Sequence, residues 1–191
     1  MDFLLHASRL IDRTSEKVGR VVYWLVLAAV LISSFNAVIR YVFSISSNAW
    51  LELQWYLYSA VFLLCAGYTH LRNAHIRIDV VINGFSPRTR TWIDILGGVF
   101  FLLPMAILIF WLSVPFVMES FIRQEMSTDA GGLLRLPVKL LLPIGFALLI
   151  LQAISEIVKR IGFLAGRCGD PTAGFHTSEN LSGKNLPESR V

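Results

Sequence analysis

The sequence predicts an all-α integral membrane protein. It has four transmembrane helices, an N-terminal amphipathic helix, a short interfacial helix after the second span and a disordered C-terminal tail. Three observations carry this reading. Hydrophobic residues make up 55% of the 191 and charged ones only 16%, where soluble domains carry about a quarter. Four stretches free of charge, at residues 21–38, 53–69, 95–118 and 140–155, approach or reach the ~17–25 residues a spanning helix needs. The lysines and arginines gather at alternate ends of these stretches, as topology signals do.

The elements follow in order. Residues 2–20 place Phe3, Leu4, Ala7, Leu10, Ile11 and Val18 at helical spacing, with Arg9, Asp12, Arg13, Glu16 and Lys17 mostly elsewhere on the wheel. That pattern predicts an amphipathic helix on the membrane surface. The polar lead is long and no small-residue cleavage site follows the apolar run, so a cleaved signal peptide is not expected.

In the first span, Ser33, Ser34 and Asn36 make one half more polar. Such side chains in a span favour a neighbouring helix over lipid, so this half is expected to pack. The link over 41–49 is short and forces antiparallel neighbours. Arg40 and Glu52 then fall at the same bilayer face and are expected to pair, because both lie close to the hydrocarbon.

The second span opens on Glu52 among Trp50, Trp55, Tyr56 and Tyr58, and closes on His70, Arg72, His75, Arg77 and Asp79. Aromatics at one end and bases at the other are what the two membrane faces select. Ser59, Ala60 and Gly67 suit helix contacts. Beyond it, Ile76, Ile78, Val80 and Ile82 alternate with polar residues. This period of two formally argues strand, but a lone strand has no partner for its backbone. An extended turn and a short interfacial helix, ending near Asn83 and Gly84, are expected instead.

Ser86 and Pro87 read as an N-cap with proline at the first helical position. The third span follows, with Trp92 and Trp111 about 28 Å apart along a helix, close to the hydrocarbon thickness. Pro104 and Pro115 are candidate kinks. A second connection, 119–139, holds mixed charge and the Gly131 and Gly132 break, and Pro137 opens the fourth span. Lys139 is expected to reach back to the headgroups along its own stem, and Pro143 and Gly145 to make the start of this helix irregular. Lys159 and Arg160 close it. From residue 166 the chain turns polar and rich in Gly, Ser and Pro, which predicts disorder. The division is therefore a four-span domain at 1–165 and a tail at 166–191.

Lys and Arg number thirteen on the side holding the N-terminus, the middle loop and the tail, against four on the other: Arg40, Arg123, Arg135 and Lys139. The positive-inside rule places both termini in the cytoplasm. The net charge of +4 sits at segment ends rather than along one face, so no nucleic-acid partner is expected. Cys65 lies in a span and Cys168 in the tail, which gives no disulfide framework and no metal-ligand spacing. No histidine or carboxylate falls inside a span, so no haem site and no proton relay is expected. No catalytic, cofactor or metal residues are assigned, and the lipid bilayer is the first partner.

The segment from Glu52 through FLLCAGYTHLRNAHIRIDVV resembles the small permease subunit of tripartite ATP-independent periplasmic (TRAP) transporters. In that family an acid opens the second span, a glycine (here Gly67) and a basic block close it, and a run like His75-Ile76-Arg77-Ile78-Asp79 follows. The segment GGLLRLPVKLLLPIGFALLILQAI is similar too, chiefly at Leu136, Pro137, Pro143, Ile144, Gly145 and Phe146. The resemblance covers roughly residues 10–165.

It implies a bacterial inner-membrane subunit that scaffolds a large permease, the partner that binds substrate and coupling ion, usually sodium. A periplasmic binding protein would deliver the substrate, often an organic acid. Such a chain is not an enzyme and carries no cofactor. Arg40, Glu52, Ser33, Asn36, Gly67, His75, Arg77, Asp79, Pro143 and Gly145 are the structural or interface candidates. The alternative is an accessory membrane-anchor subunit of a respiratory or redox complex.

Overall fold

A computed structural model describes residues 2–44, 47–72 and 86–166, and it is helical nearly throughout. The expected interfacial helix, the 167–191 part of the tail, and the candidates His75, Arg77 and Asp79 lie outside the described residues. The helices are α1 (Asp2–Phe43), α2 (Asn48–Leu71), α3 (Pro87–Gly97), a π-helical turn (Gly98–Leu102), α4 (Leu103–Ile122) and α5 (Leu136–Leu164). Four stretches are long and apolar enough to cross a membrane: Leu4–Phe43, Asn48–Leu71, Arg88–Ile122 and Leu136–Leu164. These match the four expected spans.

Local chemistry explains the boundaries. Ser86 caps α3 as expected, its hydroxyl accepting from the Thr89 backbone N–H at 3.3 Å, with Pro87 just inside. Within the third span the irregularity falls on the turn before Pro104, where the Leu103 N–H reaches back five residues to the Gly98 carbonyl. A proline has no N–H to donate and its ring crowds the carbonyl four residues back, and a π turn is one way a helix absorbs this. Pro115 sits inside α4 without interrupting it. The fourth span corrects an expectation in the same way: α5 runs unbroken through Pro143 and Gly145.

The N-terminal segment also differs from its expected form. Residues 2–20 are helical but continue straight into the first span as a single helix of 42 residues.

α5 is the hub, packing against α1, α2 and the third span. Gly67 lies on Leu148 and Gly145 on Leu63, so α2 and α5 run parallel. Ser8 meets Ser155 and Ser15 meets Gln152, so α1 and α5 run antiparallel. The bundle thus has a loop end, carrying the 123–135 connection, and a terminal end, where α1 begins and α5 finishes. Its buried apolar residues are few and mostly small: Val22, Ala29, Ala60, Ile95, Ala106 and Ala153. Trp24, Phe62 and Trp111 stay 70%, 78% and 74% exposed. Small residues inside and large apolar ones outside is what a bundle surrounded by lipid or by other helices requires.

Candidate functional site

Two polar clasps close the bundle, one at each end. At the loop end, the first turns of α2 hold the 123–135 connection. The Glu52 carboxylate accepts from the Ser127 hydroxyl and from the Leu133 backbone N–H, the latter at 2.6 Å. Asn48 donates to the Ala130 carbonyl and Tyr56 to the Leu134 carbonyl, each at 3.1 Å. Positions 48, 52 and 56 are four apart, so one helix face presents all three side chains. The connection fits because Gly132 has no side chain: a Cβ there would lie 2.8 Å from the Glu52 Oε1 and against Ser127. Gly131 turns the chain at φ +74°, a conformation glycine adopts without steric strain.

The same loop supplies partners to α5. Glu125 binds the Lys139 ammonium and lies 3.8 Å from an Arg135 nitrogen. The hydrogen bond from Lys139 is the main reason the Glu125 carboxyl titrates below its ordinary value. Lys139 also sits 4.0 Å from the centroid of the Phe116 ring, within cation–π range. The expected reach of Lys139 toward headgroups is joined here by a protein partner, because the loop folds back and brings an acid to it.

The Arg40–Glu52 pair does not form. Arg40 is exposed in the last turn of α1, and the Glu52 carboxylate is taken up by the loop. The physical reason is proximity in the fold rather than charge. Two donors of the loop, the Ser127 hydroxyl and the Leu133 N–H, reach Glu52, while the Arg40 side chain points away and is exposed.

At the terminal end, the buried face of α1 is polar. Ser8 and Ser15 are buried, whereas Leu4 and Leu10 are exposed. Ser8 pairs with the Ser155 hydroxyl at 2.7 Å, and Ser15 donates to Gln152 at 2.7 Å. Asp12 accepts from Gln152 and Ser155, both at 2.9 Å, and from Lys159 at 3.1 Å. Glu156 holds Lys159 and lies 3.8 Å from an Arg160 nitrogen. Arg160 reaches Asp94 of α3 at 3.4 Å. With side chains only 5% and 3% exposed, Arg160 and Glu156 are buried ions, tolerable because each has opposite charges beside it. One network therefore ties α1, α3 and α5 together.

The remaining candidates separate by place. Gly67 and Gly145 are both buried on the α2–α5 contact. Asn36 is buried and Ser33 half-buried on α1, beside a Phe35–Trp50 edge contact between α1 and α2; Ser34 is exposed. Pro143 lies within α5. The sequence marks Lys159 and Arg160 only as the charges that close the fourth span, and the terminal network is not among its expectations. Its signal was present: Ser8, Asp12 and Ser15 share one helix face, as do Gln152, Ser155, Glu156 and Lys159. Among the described residues, no group of three or more His, Cys, Asp and Glu side chains is placed to hold a metal ion.

A family model described as "Tripartite ATP-independent periplasmic transporters, DctQ component" matches residues 29–162. No curated protein and no solved structure matches the chain.

Proposed function

The chain belongs to the DctQ component family of tripartite ATP-independent periplasmic transporters, and we propose that its work there is mechanical. As the small membrane subunit it scaffolds the large permease in the bacterial inner membrane during sodium-coupled uptake of an organic acid handed over by a periplasmic binding protein. The observation that carries this reading is where its charges go. The stretches 53–69, 95–118 and 140–155 contain none. Glu52, Glu125, Lys139, Asp12, Glu156 and Arg160 are consumed in clasps that bind helix to helix or loop to helix. A carboxylate crossing the membrane needs compensating charge, and these stretches offer none.

Thirteen lysines and arginines against four support an orientation with the terminal clasp cytoplasmic and the loop clasp periplasmic. The test is reconstitution of the large subunit and binding protein with and without this chain, across several organic acids. Uptake of every substrate should be lost alike when the chain is left out. A substitution within 21–160 that reorders substrate preference while the complex stays intact would refute the scaffold role.

A further inference from the structure

A cavity of about 410 Å³ opens at the loop end, between the first turns of α2 and the start of α5. The two helices touch at Leu63 and Gly145 and at Gly67 and Leu148, and the cavity lies on the loop side of those contacts. Asn48, Leu51 and Trp55 come from α2, Asp129 from the loop, and Arg135 and Val138 from the start of α5. The surface it presents is mostly apolar, with polar groups from α2, the loop and the start of α5 set into it, the composition of a ligand site rather than of a packing defect. Leu51 and Trp55 are exposed on their helix, and tryptophan at this position is what a membrane interface selects.

Four charged residues line it: Glu52, Asp129, Arg135 and Lys139. Two are spent within the clasp, Glu52 on the loop and Lys139 on Glu125. The other two face the opening with opposite sign. The Arg135 side chain is 40% exposed, lies 3.8 Å from Glu125 and is near enough to Glu52 to act on its charge, yet makes no close ion pair with either, and Asp129 is exposed. The lining is therefore neutral overall but split into a cationic and an anionic group above an apolar wall. That arrangement does not suit a net anion. It suits a dipolar headgroup with a hydrocarbon tail attached.

We propose that this cavity holds one zwitterionic phospholipid with a primary ammonium, of the phosphatidylethanolamine type. The phosphate lies on the Arg135 guanidinium, which presents a planar fork of donors. The ammonium lies on Asp129, and the acyl chain runs along Leu51, Trp55 and Val138. A primary ammonium donates hydrogen bonds to a carboxylate where a trimethylammonium cannot, so an ethanolamine headgroup is favoured over choline. The lipid would fill the opening between α2 and α5 that their close contact leaves at this end.

The experiment is native mass spectrometry of the full chain, purified in detergent with equimolar phosphatidylethanolamine, phosphatidylcholine and phosphatidylglycerol. One ethanolamine lipid should be retained about tenfold over the others, the scale of one charge-assisted hydrogen bond. Asp129→Asn should remove that preference while other phospholipids still bind, and Arg135→Gln should lower retention of all three. Leu51→Trp, which fills the cavity without touching the clasp, should exclude lipid while thermal unfolding stays unchanged. Soluble glycerophosphoethanolamine and inorganic phosphate should not compete, since neither has a tail. Equal retention of the three lipids, indifference to all three substitutions, or displacement by phosphate alone would overturn the proposal. So would loss of the lipid on adding the large subunit, because the cavity would then be a seat for that partner.

Discussion

The Glu52 carboxylate lies 2.6 Å from the backbone nitrogen of Leu133, 81 residues further along the chain. An acid at the start of a span thus serves as a latch for a distant loop. Its second bond, from Ser127, closes the same loop from the other side. Glu52→Gln keeps one acceptor but removes the charge that strengthens both bonds. Cleavage within 123–135 by a protease should rise roughly tenfold, as expected when a local opening becomes easier. Arg40→Gln should leave it unchanged. Equal effects of the two substitutions would mean that Arg40 and Glu52 act together after all.

The α2–α5 contact makes a sharper prediction because two glycines on it differ in room. A Cβ on Gly145 would meet the Leu63 carbonyl oxygen at 2.8 Å, and one on Gly67 would meet the Leu148 oxygen at 3.4 Å. Backbone cannot swing aside as a side chain does. Gly145→Ala should therefore destabilise the bundle by about 1–3 kcal/mol, the range for overpacking, and Gly67→Ala by much less. Thermal unfolding in detergent checks both. The order of the two losses is the test.

The number of spans, and their limits apart from the start of the first, were legible because hydrophobic length is set by the bilayer itself. Ser86 and Pro87 were legible because capping is local. Partners were not. Charge proximity pointed Glu52 to Arg40, since the two flank a short link, but pairing is decided by which donors the fold brings within reach. Here they were the Leu133 N–H and the Ser127 hydroxyl. The N-terminal helix shows the same limit. Its amphipathic pattern predicts a helix on the membrane surface, whereas it packs on the bundle through its polar side, with Ser8 and Ser15 buried and Leu10 exposed. In a membrane protein the apolar face has lipid to meet, so hydrophobicity alone does not say which side packs.

The terminal network should be the least tolerant part of the chain. Arg160→Met removes the cation between Asp94 and Glu156, and Glu156 stays buried with a side chain 3% exposed. Breaking a buried pair from one side costs about 3–5 kcal/mol. Ser155→Ala should cost about 1–2 kcal/mol, since it strands Ser8 and one bond to Asp12. Chemical unfolding followed by circular dichroism would measure each. A smaller loss for Arg160→Met than for Ser155→Ala would show that the ions contribute little.

Acid should loosen the loop end through Glu125. Its carboxyl is held below the ordinary value, first by the Lys139 hydrogen bond. A lowered folded pKa means the folded form binds its proton less readily than the unfolded one. The resulting stabilisation is complete above the unfolded pKa, about 4.3, and is lost as pH falls through the folded value. Protease resistance of 123–135 should accordingly hold from pH 7 to 5 and fall below about 4. In Glu125→Gln the step should shrink, and the loop should be weaker at neutral pH. An unchanged acid step in that variant would assign the transition to other carboxylates.

The sidedness of the chain is the last prediction. Arg9, Arg13, Lys17 and Arg20 precede the first span, Arg72, Arg77, Arg88 and Arg90 lie between the second and third, and Lys159, Arg160, Arg167, Lys184 and Arg190 follow the fourth. Against these stand only Arg40, Arg123, Arg135 and Lys139. Of the four, Lys139 is bound to Glu125, Arg135 approaches the same acid, and Arg123 pairs with Glu119 at 2.9 Å. Acids beside them soften what little positive charge that side carries. On the positive-inside rule the 123–135 loop faces the periplasm and both termini the cytoplasm. A single cysteine at Ala130, exposed at the loop tip, in a background lacking Cys65 and Cys168, should react with an impermeant thiol reagent added to intact cells. One placed at Arg13, exposed near the start of α1, should react only after lysis. The opposite labelling would invert the bundle and put the loop clasp on the cytoplasmic side.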